Sequence, residues 1–451
     1  MARASSSGWS SVLAGGTDTI VARATPEGRG ALAVIRCSGR EAFPIAAVLC
    51  RGFDPKQRWR AQRVDVLGPS GAVLDDALAI AFPGPRSATG EDVVELTCHG
   101  SPYLARAVVD AFVALGARPA EPGEFSRRAV ANGKLDLLQA EGLRDLIEAE
   151  TAAAARAARG QLEGRLSARL GELRHGLVEL LARLEGALDL VGQGIDLDRA
   201  EVEERAAGCR DCIARLMATA AAGDRLRRGA RVVLLGPPNA GKSTLFNRLV
   251  GWERAIVAPT PGTTRDAVEA RLEVSGHAVT LVDTAGEGEP GDELELAGMG
   301  HARREAAEAD VLLRLWPADM GPPPQQTRAA GQSAVLVLSK SDLATATGAT
   351  EEGWIPVSAV LGTGVEEVRR AVGERLSAGI DPADEDRVTV SARHQAALRR
   401  AGGAVATLPL EHPEIAAECV REALDAVREL TGEVTTDDLL DAVFRTFCVG
   451  K

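Results

Sequence analysis

A glycine-rich turn between an apolar run and a helix-like run constrains the fold most strongly. The stretch VVLLGPPNAGKSTLFNRL contains the pattern G-x-x-x-x-G-K-[ST] from Gly236 to Ser243, in the strand–turn–helix setting that this pattern needs. In such a loop, backbone N–H groups and the helix N-terminus bind phosphate oxygens. Lys242 is expected to neutralise the β- and γ-phosphates and to act in catalysis, and Ser243 to bind Mg²⁺. We therefore predict a nucleoside triphosphate site, rather than a plain tight turn, with these further loop residues: Asn239, Ala240, Gly241 and Thr244.

Two later stretches supply the remaining groups that a triphosphate and its metal ion need. DTAG (283–286) ends an apolar run, so Asp283 is placed to hold Mg²⁺ through water and the Gly286 N–H to contact the γ-phosphate, with Thr284 and Ala285 between them. PGTTRD (261–266) precedes it, and its Thr264 is the candidate for a second hydroxyl on Mg²⁺. An ordinary polar loop is the alternative for this threonine.

The run AVLVLSKSDL (334–343) predicts a loop that recognises the base. Asp342 can accept the two N–H groups of guanine that adenine lacks, and the Lys340 stem can cover the base face. The stretch VSA (357–359) follows another short strand, and the backbone N–H groups of Ser358 and Ala359 can contact the guanine oxygen. Many GTPases have Asn where Ser339 stands here. We expect that guanine is still selected but bound less tightly, by less than about tenfold; the alternative is that this loop contacts no base.

Changes of sequence character divide the 451 residues into blocks, and this length suggests about three domains. Residues 1–17 are expected to be a disordered extension, and 18–131 alternate short β-like runs with Pro and Gly, which predicts an α+β domain. Residues 132–228 and 379–451 are helical in character, and 229–378 alternate strands and helices, which predicts a mostly parallel sheet. The fold class is therefore multidomain α/β, with the α/β block inserted into a discontinuous helical domain. One long amphipathic helix is predicted from leucines spaced by three and four, namely Leu162, Leu166, Leu170, Leu173, Leu177, Leu181, Leu184 and Leu188.

Charge, cysteine use and hydropathy exclude several classes of protein. The net charge of −12 argues against a uniformly basic surface for nucleic acid. Seven scattered cysteines form no dense framework, as is typical of a reduced, cytoplasmic protein. No apolar run approaches the roughly 18 residues that span a bilayer, so we expect no membrane association. The N-terminus has no convincing apolar core for an export signal.

Several separated stretches resemble one known family along nearly the whole chain. They are DTIVARATPEGRGALAVIRCSG (18–39), TGEDVVELTCHG (89–100), EPGEFSRRAVANGKLDLLQAEGLRDLI (121–147), the phosphate-loop and metal motifs, and the terminal FCVGK (447–451). A chain ending Cys-x-Gly-Lys after a helix has no general structural reason. Together these motifs resemble the tRNA modification GTPase family MnmE, also called TrmE, over residues 18–451.

The resemblance implies an architecture and a reaction. The N-terminal domain is expected to be folate-binding-like and to form a homodimer, and the helical domain to carry the P-loop GTPase domain as an insertion. With a FAD-dependent partner similar to MnmG (GidA), the family adds an aminomethyl or carboxymethylaminomethyl group at C5 of the wobble uridine of certain tRNAs. The implied cofactors are GTP, Mg²⁺, K⁺ and a 5-formyl-tetrahydrofolate-type folate.

The resemblance also assigns residues. The folate pocket is expected to use Arg36, Glu95, Lys134 and the C-terminal Lys451, with the tail reaching back to the N-terminal domain. Glu295 matches the catalytic glutamate that orients the attacking water, although the nearby Glu293 is an alternative. The K⁺ ligands are expected from Asn239, Ala258, Thr260 and Thr263, and the same loop adds three residues to the nucleotide site, Pro259, Pro261 and Gly262. The two prolines depart from the family pattern and stiffen this loop.

Other interpretations stay open from the sequence. A GTPase switch in ribosome or RNA assembly would share the GTPase block but not residues 18–147 or FCVGK, and a nucleotide-binding scaffold with weakened hydrolysis is suggested by Ser339 and the two prolines. Cys448 is either a group in the chemistry or a buried structural thiol. Cys209 and Cys212 are interpreted as helix-face thiols rather than a zinc site, and His99 as a structural imidazole. The arginines of 225–231 are interpreted as a solvated linker rather than a contact to tRNA phosphates.

Overall fold

The structure is a computed structural model, and its chain divides into two units. One unit consists of residues 1–144 with 427–451, and the other of residues 145–426. The residues that the structure describes are 18–190, 198–251, 268–284, 303–323, 333–343, 353–378, 388, 390–433 and 437–450.

The helices agree with the predicted alternation of helical and α/β blocks. In chain order they are α1 (Ala42–Leu49), α2 (Pro102–Ala114), α3 (Glu124–Ala131), α4 (Leu137–Glu148), α5 (Ala152–Leu162), α6 (Arg165–Leu190), α7 (Arg199–Ala218), α8 (Ala220–Arg228), α9 (Lys242–Gly251), α10 (Val365–Leu376), α11 (Ala392–Ala404), α12 (Pro413–Thr431) and α13 (Asp437–Phe444).

The first unit contains a seven-stranded sheet with the order β3-β4-β5-β6-β2-β1-β7. Its strands are β1 (Ile20–Arg23), β2 (Leu32–Ser38), β3 (Cys50–Arg51), β4 (Gln62–Leu67), β5 (Val73–Phe82), β6 (Val93–His99) and β7 (Arg118–Pro119). Neighbours are antiparallel except β1 and β7. Alternate side chains of β2, Ala33, Ile35 and Cys37, are buried, because successive strand residues point to opposite faces. They pack with α1 and α2 into one apolar core.

The long helix of the second unit confirms most of the predicted apolar face, but Leu162 ends α5 instead of lying on this helix, and Leu188 is only half-buried. Leu166, Leu170, Leu173, Leu177 and Leu184 of α6 are buried as predicted, whereas Leu180 rather than Leu181 is the buried residue of that turn. The glycines inside α6 do not interrupt it. The break that separates α5 from α6 lies at Gly164, where φ is +86°, a backbone conformation that glycine adopts without steric cost.

The sheet of the second unit confirms the predicted, mostly parallel α/β architecture. Its order is β13-β12-β11-β8-β10-β9, and the strands are β8 (Ala230–Leu235), β9 (Val268–Val274), β10 (His277–Asp283), β11 (Val311–Pro317), β12 (Ala334–Ser339) and β13 (Trp354–Val357). All neighbouring pairs are parallel except β9 with β10. Parallel strands end at the same edge of a sheet, where α/β proteins bind their ligands. The phosphate loop, Asp283, the loop of residues 339–342 (the SKSD loop) and Ser358 all lie at or directly after strand ends at this edge.

The helices of the described residues include none that is both long enough and apolar enough to cross a bilayer.

Candidate functional site

The phosphate loop leaves β8 and enters α9 through an unusual backbone. Gly236 passes so close to β11 that a Cβ there would lie 2.5 Å from the Leu315 carbonyl oxygen. Asn239 has φ of +60° and Gly241 of +84°. These turns allow successive N–H groups to point to one side, which is the geometry of an anion-binding loop. The local sequence of small residues and prolines therefore specifies the loop itself.

Lys242 is held in the loop by backbone carbonyls. Its side chain is buried, and Nζ donates to the carbonyl oxygens of Gly236 and Pro237, both at 3.1 Å. Ser243 and Thr244 follow in the first turn of α9 and are exposed. A buried ammonium group beside an exposed helix N-terminus presents positive charge and N–H donors to one place, which suits a polyphosphate.

The end of β10 offers a carboxylate suited to Mg²⁺. Thr284 is buried, and its hydroxyl donates to the Leu234 carbonyl at 2.6 Å, which fixes this strand end against β8. Asp283 Oδ1 is buried and has no hydrogen-bond partner among the described residues. Since a buried carboxylate oxygen normally requires a partner, Asp283 fits the predicted role of holding a hydrated metal ion. Several predicted residues lie outside the described part of the chain, namely Ala258 to Thr264, Ala285, Gly286 and Glu295.

Ser339 connects the SKSD loop to the phosphate loop. Its side chain is buried, and its hydroxyl donates to the Ala240 carbonyl oxygen at 2.6 Å. Lys340 follows with φ of +55°, and its ammonium group lies 3.1 Å from Asp319. Asp342 is exposed at the tip of the loop, so its carboxylate is accessible to a base.

One backbone N–H group of the loop after β13 already donates a hydrogen bond within the protein. The Ser358 N–H donates to the Thr363 carbonyl at 3.0 Å, and the Ser341 N–H donates to the Val357 carbonyl at 3.1 Å. The second bond holds the SKSD loop beside this loop. Because the Ser358 N–H is occupied, the Ala359 N–H is the better candidate for the predicted contact with the guanine oxygen.

Two of the four predicted folate residues lie side by side on the sheet of the first unit. Arg36 and Glu95 face each other on β2 and β6, and the guanidinium donates to Glu95 Oε1 at 2.7 and 2.9 Å. Arg36 also lies 5.7 Å from the Phe125 ring centroid. Lys134 is exposed after α3, and Lys451 lies outside the described residues. The Phe125 ring is buried in the core with Ile20 and Ala22, so the paired arginine and glutamate are the groups that could contact a flat, polar ligand such as a pterin.

The C-terminal tail docks beside this pair. Gly450 accepts a hydrogen bond from Arg36 Nη1 at 3.3 Å. A Cβ on Gly450 would overlap the Arg23 carbonyl oxygen, and φ there is +94°. Val449 pairs with Pro122 in an antiparallel bridge. The Cys448 side chain is exposed, so the interpretation of Cys448 as a buried structural thiol is wrong.

A buried ion-pair network around Arg128 in the first unit was not predicted from the sequence. Arg128 is almost fully buried and contacts Asp18, Glu91 and Glu124 at 2.9–3.2 Å. Arg118 also pairs with Glu124 at 2.6 Å. Burial alone raises the pKa of Glu124, but the two arginines outweigh it and hold that pKa below its ordinary value. Glu124 and Arg128 lie in the stretch 121–147, whereas Asp18 and Glu91 belong to the stretches 18–39 and 89–100, and sequence alone does not indicate which charges become buried.

Three secondary signals have structural explanations. Cys209 and Cys212 lie on α7, and burial raises the pKa of the Cys209 thiol to about 11, which agrees with helix-face thiols. His99 bonds Asp75 at 2.7 Å.

The linker interpretation of residues 225–231 is wrong, because these arginines lie on α8 and at the start of β8. They are engaged by acids or backbone carbonyls of the same unit, in the pairs Arg225–Leu376, Arg227–Asp224, Arg228–Asp310 and Arg231–Glu305.

Family models cover most of the chain. Residues 19–134 match a model described as the GTP-binding protein TrmE N-terminus, and residues 137–448 match the MnmE helical domain. In addition, 39% of the chain is similar to 66% of the Era chain in the crystal structure of Era with MgGDPNP and a 16S ribosomal RNA fragment, at 26% identity and a TM-score of 0.27.

Full-length relatives agree with these models. The chain is 42% identical to the tRNA modification GTPase MnmE of Xanthomonas campestris pv. campestris strain B100, over 96% of this chain and 99% of that protein. It is also 42% identical to the protein of the same name from Methylorubrum populi, over 96% of this chain and 98% of that one. The chain belongs to the MnmE family of tRNA modification GTPases.

Proposed function

We propose that this GTPase uses GTP hydrolysis to drive modification of the wobble uridine of certain tRNAs at C5. The group added is aminomethyl or carboxymethylaminomethyl, and the reaction requires a FAD-dependent partner similar to MnmG. One observation carries the proposal: a phosphate loop with Lys242 and a folate-type pair, Arg36 with Glu95, occur in one chain. A GTPase switch for ribosome or RNA assembly needs only the first of these.

Hydrolysis is proposed to depend on groups at the carboxyl edge of the parallel sheet. Lys242 neutralises the β- and γ-phosphates, and Glu295 orients the attacking water. Ser243, Thr264 and Asp283 would hold Mg²⁺, which when bound offsets negative charge on the phosphate oxygens. The buried Oδ1 of Asp283 supports this role.

A monovalent-ion site is proposed beside the phosphate loop. Asn239, with Ala258, Thr260 and Thr263, would hold K⁺, which when bound supplies the positive charge that an arginine finger supplies in other GTPases. The exposed position of Asn239 at φ of +60° is compatible with a ligand role. The test is the GTPase rate in K⁺ against Na⁺, and equal rates would argue against these ligands.

The folate-type ligand is proposed to bind at Arg36, Glu95, Lys134 and Lys451. When bound, it would supply a one-carbon unit. Glu95 can accept hydrogen bonds from a pterin, and the cations can pair with an anionic tail. The docking of Gly450 against Arg36 supports a role for the neighbouring C-terminal lysine.

A homodimer is proposed to form through the folate-binding-like domain. Leu32 and Leu78 lie on the sheet face that carries Arg36 and Glu95, and they are 59% and 48% exposed. Exposed apolar side chains on one sheet face are typical of an interaction surface. The domain organisation proposed with it is 18–131, 132–228, 229–378 and 379–451, and the cytoplasmic location stays a prediction.

The test is the tRNA of a strain that lacks this gene. Mass spectrometry of its tRNA should show loss of the C5 modification of wobble uridine, restored by the wild-type gene. Complementation with Lys242→Ala should fail because phosphate contact is lost, whereas Lys56→Ala, a matched change at an exposed lysine, should restore the modification. Unchanged tRNA in the deletion strain would refute the proposal and favour the assembly switch, and negligible GTPase activity would favour a scaffold.

A further inference from the structure

The hydroxyl of Ser339 has only one proton, and the structure shows where it goes. Ser339 Oγ lies 2.6 Å from the Ala240 carbonyl oxygen. A carbonyl oxygen only accepts, so the hydroxyl must donate. The side chain is 5% exposed, and Ala240 is fully buried in the phosphate loop. This bond therefore holds the end of β12 to the phosphate loop in a place where water does not compete.

The Hoogsteen edge of guanine needs donors, because its N7 and O6 atoms are both acceptors. The two lone pairs that remain on Ser339 Oγ are acceptors as well. The hydroxyl can donate to guanine only by leaving the Ala240 carbonyl. An asparagine amide carries two N–H donors and a carbonyl oxygen, so it can hold a neighbouring loop and contact the base at once, whereas a serine can do only one of these.

We propose that Ser339 is a positioning residue for the phosphate loop and that this GTPase recognises guanine without a contact to N7. Selection then depends on Asp342 at the N1 and amino edge, with the Ala359 N–H near O6. The inference rests on the proposed placement of guanine at Asp342. On this proposal, Ser339 does not contact the base weakly. It holds the SKSD loop to the phosphate loop, and the N7 position of guanine has no hydrogen-bond partner.

The proposal predicts the response to a guanine that lacks N7. In 7-deaza-GTP a C–H group replaces N7, and the N1, amino and O6 groups remain. Isothermal titration of the full-length protein should give dissociation constants for GTP and 7-deaza-GTP that agree within about twofold. A several-fold weaker binding of 7-deaza-GTP to the wild-type protein would overturn the proposal, and this measurement requires no variant to fold.

Two substitutions distinguish the hydrogen bond that ties Ser339 to the phosphate loop from a hydrogen bond to the base. Ser339→Ala removes the tie, so affinity for GTP and for 7-deaza-GTP should fall by the same factor, about two- to tenfold for one neutral hydrogen bond. Ser339→Asn adds an amide donor, so GTP should bind about two- to tenfold more tightly than 7-deaza-GTP. A merely structural role of residue 339 would not change this ratio. Unchanged affinities in Ser339→Ala, or a ratio near one in Ser339→Asn, would contradict the assignment.

The affinity for ATP distinguishes an error in the inference about Ser339 from an error in the proposed placement of guanine at Asp342. If ATP binds as tightly as GTP, guanine is not held at Asp342 and the placement is wrong. If GTP is preferred over ATP but 7-deaza-GTP binds poorly, the placement holds and the inference about Ser339 is wrong. Preference for GTP over ATP together with equal affinity for 7-deaza-GTP supports both.

Discussion

The substitution Gly450→Ala should release the C-terminal tail from the folate-type pocket. Gly450 has φ of +94°, and an alanine in left-handed backbone costs about 1–2 kcal/mol. Its Cβ would also overlap the Arg23 carbonyl oxygen, so the tail must move. The hydrogen bond from Arg36 to the Gly450 carbonyl, 3.3 Å long, is then lost at about 1.5 kcal/mol, the lower end for a charged donor.

These costs amount to at least about 2.5 kcal/mol, which corresponds to about 70-fold in an equilibrium constant. We expect the affinity for 5-formyl-tetrahydrofolate, measured by isothermal titration, to fall by about 70-fold or more. Limited proteolysis followed by mass spectrometry should show faster cleavage near the C-terminus. The core of the unit should remain folded, because the change lies at the end of the chain.

Gly71→Ala is the matched control. Gly71 also has a positive φ, +77°, but a Cβ there would have no atom within 4 Å, and it lies in the turn between β4 and β5. Because alanine is strained at this φ, Gly71→Ala should lower the free energy of unfolding by about 1–2 kcal/mol, without changing folate affinity. The reasoning is refuted if Gly450→Ala binds folate within twofold of the wild-type protein, or if Gly71→Ala loses as much affinity.

Three further changes test other parts of the molecule. Asp283→Asn keeps the volume but removes the charge, so the GTPase rate should fall by about tenfold or more and require a higher Mg²⁺ concentration, as measured by phosphate release; an unchanged rate would exclude the metal role. Two arginines hold the pKa of Glu124 below its ordinary value of 4.5 despite burial, so its contribution to stability is present above that value and lost as the pH falls through the lowered pKa. Thermal melts between about pH 7 and about pH 3 should therefore show a weaker pH dependence in Glu124→Gln than in the wild-type protein, and identical curves would contradict the pairing. Burial raises the pKa of the Cys37 and Cys50 thiols to about 12, so iodoacetamide should modify exposed Cys448 before either, as followed by peptide mass spectrometry; equal labelling would contradict the burial.

The sequence predicts the fold where the chemistry is concentrated in a short stretch. The phosphate loop from Gly236 to Ser243 requires its own residue types in its own order, so the pattern and its strand–helix setting were sufficient to predict the local fold. The parallel sheet followed from the alternation of apolar runs and helices. The period of the α6 leucines predicted its buried face, and the exchange of Leu181 for Leu180 reflects packing that periodicity does not determine.

What the sequence could not indicate are contacts between residues that lie far apart along the chain. Ser339 bonds Ala240 across 99 positions, and Arg36 bonds Gly450 across 414. In each case one partner belongs to a recognisable motif, yet the motif does not specify which atom its side chain contacts. The linker interpretation of residues 225–231 was wrong for the same reason, since an arginine-rich run looks solvated until the acids that pair with it are brought near by the fold.

These long-range contacts change how the departure at Ser339 is understood. Judged by the loop alone, a serine in place of asparagine is a loss, because one donor to the base is missing. In the folded chain the serine keeps the bond that joins the base loop to the phosphate loop and gives up the bond to the purine edge. The phosphate loop positions the group that is hydrolysed, whereas N7 only adds affinity. A substitution that keeps the hydrogen bond to the phosphate loop therefore weakens nucleotide binding without misplacing the phosphates. The value of kcat should then require a hydrogen-bond donor at residue 339, but this donor need not be an amide.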